Sequence, residues 1–293
     1  MKLRLAALDK DLAELVSRAA READVPTRPL HLQALLQLPC LADVHGMVST
    51  SAAKDFLDDL AGELPARREW VVRNAASSPR DLLFRDVDTA TSDDVMRRFH
   101  YLRSPRNDGQ AYGLFSKAGG LVAVCVCSPL DVLRLDELLT SHDGGRAVSP
   151  IVLSRVFAFE GAPPNTLSYL LARVARAEAG KGHSDLVTYV NPNMGFGGAS
   201  YRASGWQVLG EEPNTTYRYL DGRYVTDRAL AAMFGHHDDA TYRRLLGPRF
   251  QVSQMPLAPL LVFHRRLSSH TARTQCITPR ANEALLASFK RAS

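Results

Sequence analysis

The alternation of apolar and polar positions is most regular between Ile151 and Gly210. An apolar run, Ile151 to Phe159, is interrupted only by Ser154 and Arg155 and predicts a strand. It breaks at Gly161-Ala-Pro-Pro-Asn-Thr166, and helical spacing follows from Leu167 to Ala179. A second apolar run, Leu186 to Val190, leads into the Gly-rich Asn191-Pro-Asn-Met-Gly-Phe-Gly-Gly198. Ala199 to Trp206 then reads as a short helix and Gln207 to Leu209 as a strand. Strand, helix, strand is a βαβ unit, two parallel strands joined by a crossover helix. Ligands of such sheets bind at the carboxyl ends of the strands, beside the amino end of the crossover helix. Residues 154–168 and 189–206 are therefore predicted to surround the site.

The flanking patterns differ. Leu5, Leu8, Leu12, Leu15 and Val16 recur at helical spacing, Pro26 and Pro29 break that helix, and two more short helices are predicted before residue 62. Residues 63–79 are a polar connector, so 1–79 is expected to be a helical accessory region. From Arg80 onward the chain turns to α/β. Asp81–Val87 alternates as a strand, Thr91-Ser-Asp-Asp94 offers a cap for a helix from Val95 to Tyr101, and Ala111–Phe115 with Leu121–Cys127 predicts a hairpin. A charged stretch, 129–149, leads to the central unit. Beyond Gly210, Thr215–Leu220 reads as a strand closed by Asp221-Gly222, 226–246 returns to helix, and Leu257–His264 is a candidate last strand. The expected fold class is α/β (α+β), with residues 80–293 forming one domain that carries a C-terminal helical extension.

Composition narrows the picture only slightly. With 293 residues, 45% hydrophobic and 23% charged, the chain suits one large domain or a domain plus an accessory piece. No run approaches the roughly 18 apolar residues that a membrane span needs, and Asp9, Lys10 and Asp11 interrupt any signal-peptide core, so a cytoplasmic location is expected. Cys125 and Cys127 should share one face of a strand as core thiols. A net charge of +5, Arg-weighted, suits phosphate recognition but equally suits an Arg-rich genome. His236-His-Asp-Asp239 has the residue types of a metal site, but adjacent histidines point apart. It is read as a helix-capping turn, and no metal is predicted.

The order strand, helix, hairpin, strand, helix, strand, helix, strand resembles the GNAT N-acyltransferase fold, a mixed central sheet flanked by helices. Ser200-Tyr-Arg-Ala-Ser-Gly-Trp206 matches its short helix with a Tyr and the Gly-aromatic pair that opens the next strand. A closer resemblance is to the Mom-like branch, typified by the phage DNA-modification protein Mom. It is carried by Phe99-His-Tyr101, Leu153-Ser-Arg-Val156, Ala162-Pro-Pro-Asn-Thr-Leu-Ser168 and, most specifically, Thr188 to Trp206, within residues 80–225. The resemblance implies an acyl donor, acetyl-CoA or another coenzyme A thioester, in a wedge between two splayed parallel strands, and an amine acceptor. Most GNAT enzymes cradle pyrophosphate in an Arg/Gln-x-x-Gly-x-Gly/Ala loop. Here Pro163 and Pro164 supply no amide donors, although the helix amino end can still attract an anion.

Carried over residue by residue, the resemblance makes Tyr201 the candidate acid for the leaving group. His100 and Tyr101 stand where the acceptor enters, with His100 a candidate base. Arg155, on an otherwise apolar strand, needs a partner and is a candidate anion or carboxylate contact. Asn165, Thr166 and Ser168 are candidates for donor binding or helix capping. Asn191 ends its strand where a carboxylate base would be expected, so its role is hydrogen bonding, and Asn193 can share it. Three readings stay open. The first is acyl transfer from coenzyme A to a nucleobase amine or small metabolite. The second is aminoacyl transfer from tRNA. The third is a non-catalytic protein that binds nucleic acid, DNA or tRNA, or a protein partner.

Overall fold

The computed structural model describes residues 76–102, 104–106, 108–129, 139, 149–159, 161–192, 196–212, 216–221, 223–235, 238–252 and 258–267. The expected helices of 1–62, the connector up to residue 75, most of 129–149, His236, His237 and Asn193 lie outside the described residues.

Strand β1 (Leu83–Val87) leads to helix α1 (Thr89–Arg98). The helix begins earlier than its sequence suggests because Asp88, not Thr91–Asp94, is the cap: its carboxylate accepts the Thr91 amide at 2.9 Å. The helix also stops at Arg98, so His100 and Tyr101 stand in the turn beyond it. Strands β2 (Gln110–Phe115) and β3 (Leu121–Pro129) form the expected hairpin. Cys125 and Cys127 are both buried in the core it builds. The central unit follows as β4 (Pro150–Ala158), α2 (Thr166–Gly180), β5 (Asp185–Val190), α3 (Ala199–Ala203) and β6 (Gln207–Glu212).

The remaining described elements divide in two. Strands β7 (Arg218–Leu220), β8 (Arg223–Val225) and β9 (Phe250–Val252) make a separate small sheet, with helices α4 (Asp227–Phe234) and α5 (Asp239–Leu246) between β8 and β9. Asp238 caps α5 by accepting the Thr241 amide at 2.7 Å, which fits the capping turn expected there. Strand β10 (Leu260–Arg266) then returns to the main sheet and inserts between β5 and β6. The small sheet and its helices are thus an insertion between two strands of the main sheet.

The main sheet has seven strands in the order β1-β2-β3-β4-β5-β10-β6. The β4–β5 pair is parallel and all other neighbours are antiparallel. This is the mixed sheet of the GNAT fold. Helix α2 lies on one face, burying Leu170, Leu171 and Val174 against Leu153, Leu186 and Phe263. Helix α1 covers the β1–β3 part of the other face through Val95 and Met96. Leu139, from the β3–β4 connection, packs with Val187 and Val262.

One feature of register shapes everything near the site. Strands β4 and β5 pair only at Pro150–Asp185, Ile151–Leu186 and Val152–Val187, although both continue well past those residues. At the closed end the Ser184 amide donates to the Ser149 carbonyl at 3.0 Å, and the Ser149 amide donates to Ser184 Oγ at 2.6 Å. Fully buried Asp185 meets His264 Nε2 at 2.6 Å and Arg266 Nε at 3.1 Å, which joins β5 to β10. Burial acts to raise the Asp185 pKa, but hydrogen bonds from Ser184 and His264 and the Arg266 charge outweigh it, so the carboxyl titrates below its ordinary range. Among the described residues, no helix is long and apolar enough to cross a membrane.

Removing one partner of a buried ionic pair typically costs about 3–5 kcal/mol. Asp185→Asn should lower the urea-unfolding free energy at pH 7 by about 3 kcal/mol. Because the native carboxyl is depressed, its contribution is complete above the ordinary carboxylate pKa and disappears as pH falls through the lowered native value. The wild-type and variant unfolding curves should therefore converge in acid, and a gap that persists unchanged to pH 2 would exclude this assignment.

Candidate active site

Beyond Val152 and Val187 the two strands diverge, and the edges that face each other carry backbone groups with no ladder partner. A cavity of about 680 Å³ opens there. It is lined by β4 from Leu153 to Ala158, β5 from Thr188 to Val190, the first turn of α2, helix α3 and the turn after α1. Of the predicted site residues, His100, Tyr101, Arg155, Asn165, Thr166, Ser168, Asn191 and Tyr201 all line this one cavity.

The amino end of α2 enters the cavity in an unusual way. Asn165 occupies the N-cap position at φ 65° and its side chain does not cap the helix, contrary to one expectation for it. Asn tolerates this left-handed geometry better than most residues. The Thr166 side chain turns back to the Pro163 carbonyl at 2.6 Å, and the Thr166 amide bonds the same carbonyl at 3.2 Å. Among the described residues, the Leu167 and Ser168 amides have no backbone acceptor, so the positive end of a 15-residue helix faces the cavity with donors to spare.

Tyr201, on α3, is held by aromatic packing. Its ring lies 5.4 Å from Trp206 and 5.6 Å from Phe263. Gly198, at φ 74°, begins α3, and a Cβ there would come within 2.5 Å of the Phe263 ring. Only glycine brings the helix close enough for this stack. Burial, with smaller effects from Cys125 and Tyr101, raises the Tyr201 pKa well above that of a free phenol, while a hydrogen bond with Thr188 acts in the opposite direction. The hydroxyl is therefore protonated throughout the neutral range.

His100 is buried, and its Nδ1 accepts the Leu102 amide at 3.2 Å. That bond assigns the ring hydrogen to Nε2, so the neutral imidazole offers a donor there. The ring stacks on Tyr101 at 4.7 Å, and Tyr101 in turn meets Phe196 at 5.3 Å. Phe99, Phe157 and Phe159 continue this aromatic wall, with Phe157 and Phe159 edge to face at 5.1 Å.

For Arg155 the expected carboxylate gives way to backbone. Its Nε donates to the Ser104 carbonyl at 3.0 Å and its NH1 to the Ser154 carbonyl at 2.7 Å. These bonds tie the loop after α1, and with it His100 and Tyr101, onto β4. The guanidinium keeps its positive charge because both acceptors are neutral. Asn191 Nδ2 donates to the Tyr217 hydroxyl at 2.8 Å, linking the end of β5 to the inserted small domain. Sequence reasoning missed Thr188 and the Phe157–Phe159–Phe196 wall. A hydroxyl inside the run Leu186–Val190 was the available signal for the first.

The match to a family model settles the kinship. Residues 81–255 fit the model of the Mom protein family. The chain belongs to that family. No curated protein matches the sequence. Similar solved structures include an IAA acetyltransferase from Bacillus cereus (9% identity, TM-score 0.33, covering 64% of this chain and 99% of the other). A spermidine N-acetyltransferase from Vibrio cholerae in complex with CoA and spermine is similar at 7% identity and TM-score 0.36, covering 65% of this chain and 98% of that one. A Drosophila melanogaster polyamine N-acetyltransferase is similar at 13% identity and TM-score 0.36, covering 64% and 100%.

The Arg155 bonds to Ser104 and Ser154 make a prediction independent of chemistry. Arg155→Met keeps the stem but removes the donors and should cost about 1–3 kcal/mol. Hydrogen exchange at the Leu102 and Ser104 amides should speed up selectively, and uniform exchange across the whole protein would contradict the anchoring role.

Proposed function

We propose that this Mom family protein transfers an acyl group from a coenzyme A thioester to an amine whose acceptor nitrogen is uncharged at neutral pH, a heteroaromatic amine such as that of a nucleobase or a small metabolite. The observation that carries this reading is the single cavity that combines split strand edges, an uncapped helix amino end and a neutral tyrosine. The unpaired edges of β4 and β5 match the amides of an extended pantetheine arm. The Leu167 and Ser168 amides suit the negative pyrophosphate. In the reaction the amine nitrogen attacks the thioester carbonyl, the tetrahedral oxyanion collapses, and the carbon–sulfur bond breaks. Tyr201 gives its proton to the departing thiolate, and the amine's proton leaves to solvent.

The charge of the lining supports the choice of acceptor. Among the described residues around the cavity there is no aspartate, glutamate or lysine, while Arg155 contributes a positive charge. Such a lining disfavours a cationic alkylamine and favours an anionic donor with a neutral acceptor. A heteroaromatic amine is already unprotonated, so it needs no strong base before attack. His100 then orients the acceptor through Nε2–H, and Tyr101 with Phe196 supplies a surface for a planar ring.

The aminoacyl-tRNA reading keeps one specific support, the two prolines and the left-handed Asn165 where a phosphate-cradling loop normally lies. Titration separates the two readings. Acetyl-CoA should raise the melting temperature in a saturable way, and Tyr201→Phe should lower acyl transfer by about a hundredfold with binding unchanged. No shift with acetyl-CoA, together with salt-dependent binding of charged tRNA, would overturn the coenzyme A reading.

A further inference from the structure

Thr188 is the first β5 residue past the last parallel pair, Val152–Val187. A continuing ladder would satisfy the Leu153 carbonyl with a β5 amide. Here the strands have begun to part, and the Thr188 hydroxyl fills that role by donating to the Leu153 carbonyl at 2.8 Å. The side chain is 2% exposed and sits on the face of β5 that meets α3, opposite Phe263 in the register. Phe263 is the ring on which Tyr201 packs. The same Thr188 hydroxyl is hydrogen-bonded to the Tyr201 phenol. One buried side chain thus touches both the apex of the wedge and the candidate acid.

A threonine hydroxyl has one hydrogen and two acceptor sites. With the hydrogen on the Leu153 carbonyl, the oxygen accepts from the Tyr201 phenol. Once the phenol has given up its proton, it can no longer donate, and a buried phenolate without a donor is costly.

We propose that Thr188 is a positioning residue for Tyr201: its hydroxyl holds the phenol at the wedge apex, then rotates its hydrogen from the Leu153 carbonyl onto the phenolate oxygen. The inference rests on the acyl-transfer reading for its catalytic consequence, but the hydrogen bonding is independent of that reading. The balance is simple. Tyr201 loses one proton to the leaving thiolate, Thr188 loses none, and one hydrogen bond is exchanged for another. A charge-assisted bond to the phenolate is stronger than the neutral bond it replaces, so the exchange favours proton donation. When the phenol is reprotonated, the Thr188 hydrogen returns to Leu153.

The test replaces Thr188 by Val, of nearly the same shape, and by Ser, which restores the hydroxyl. Both are made in the full chain with 3,5-difluorotyrosine installed at position 201, whose more acidic phenol titrates in an accessible range. Fluorine NMR reads the titration directly. Thr188→Val should raise the titration midpoint by at least one pH unit, because the phenolate loses its donor, and Thr188→Ser should restore it. A midpoint unmoved in Thr188→Val would overturn the proposal, whatever happens to stability. If Thr188→Val fails to fold, the Thr188→Ser protein is read against the parent, and there a midpoint displaced upward by a full unit would count against hydroxyl-based positioning. In the unlabelled protein, Thr188→Val should lower the acyl-transfer kcat at least tenfold with KM for the donor little changed. A titration that shifts as expected in a protein that transfers no acyl group would retain the Thr188–Tyr201 coupling and remove the acyltransferase reading instead.

Discussion

The structure depends on the failure of one strand pair to continue. Parallel strands in a closed α/β sheet normally pair along their length, and unpaired backbone inside a protein is costly. Strands β4 and β5 stop pairing after three residue pairs. Something must pin them at the closed end and something else must satisfy the groups released at the open end. The first task falls to Ser149, Ser184 and the Asp185–His264–Arg266 cluster. The second falls partly to Thr188, and the edges beyond it are left for a ligand. A site of this kind is built by withholding hydrogen bonds.

Helix α2 follows the same logic. Its carboxyl end is fixed by Glu178, which is fully buried, bonded to the Tyr112 hydroxyl and to Lys181, and 3.5 Å from His183. Lys181 also bonds the Tyr112 hydroxyl and lies 4.9 Å from the centre of its ring. Burial and the neighbouring carboxylate push the Tyr112 hydroxyl far above its ordinary pKa, so it stays a donor. A buried carboxylate contributes little net stability once its desolvation is counted, but it fixes one geometry. With its distant end fixed to β2, α2 can leave its amino end open to the cavity. The two buried carboxylates, Glu178 and Asp185, flank the turn between α2 and β5, so both elements are aimed from their far ends.

The local periodicity made the hairpin, β4, α2 and β5 readable to within a residue or two at their ends, because each buries a face of regular spacing. It also placed eight candidate site residues around what proved to be one cavity. What it could not give were partners distant in sequence. His183 and His264 read as isolated histidines, yet each meets a buried carboxylate, and His264 lies 79 residues from Asp185. Arg155 was legible as a buried cation in need of partners, but the partners are carbonyls, which every residue carries and no composition marks. The cap of α1 was misplaced because Thr91–Asp94 and Asp88 are both competent caps, and only the path of β1 decides between them. The left-handed Asn165 was hidden for a similar reason, since a residue type that favours caps also tolerates positive φ.

The two additions to the basic sheet deserve a joint physical reading. The connection from β3 to β4 brings Leu139 onto Val187 and Val262, on the face of β5 and β10 opposite α2. The insertion between β6 and β10 contributes Tyr217, which receives the Asn191 amide at the mouth of the split. Both additions therefore bear on β5, the strand that has given up part of its pairing with β4. A strand with an incomplete ladder on one side needs support from its other edge and its faces. Strand β10 supplies the edge through six paired residues, Leu139 supports one face, and Tyr217 restrains the end. This support lets the wedge stay open with no ligand in it, so that the cavity and its donors are organised in advance of binding, which reduces the ordering a ligand must impose.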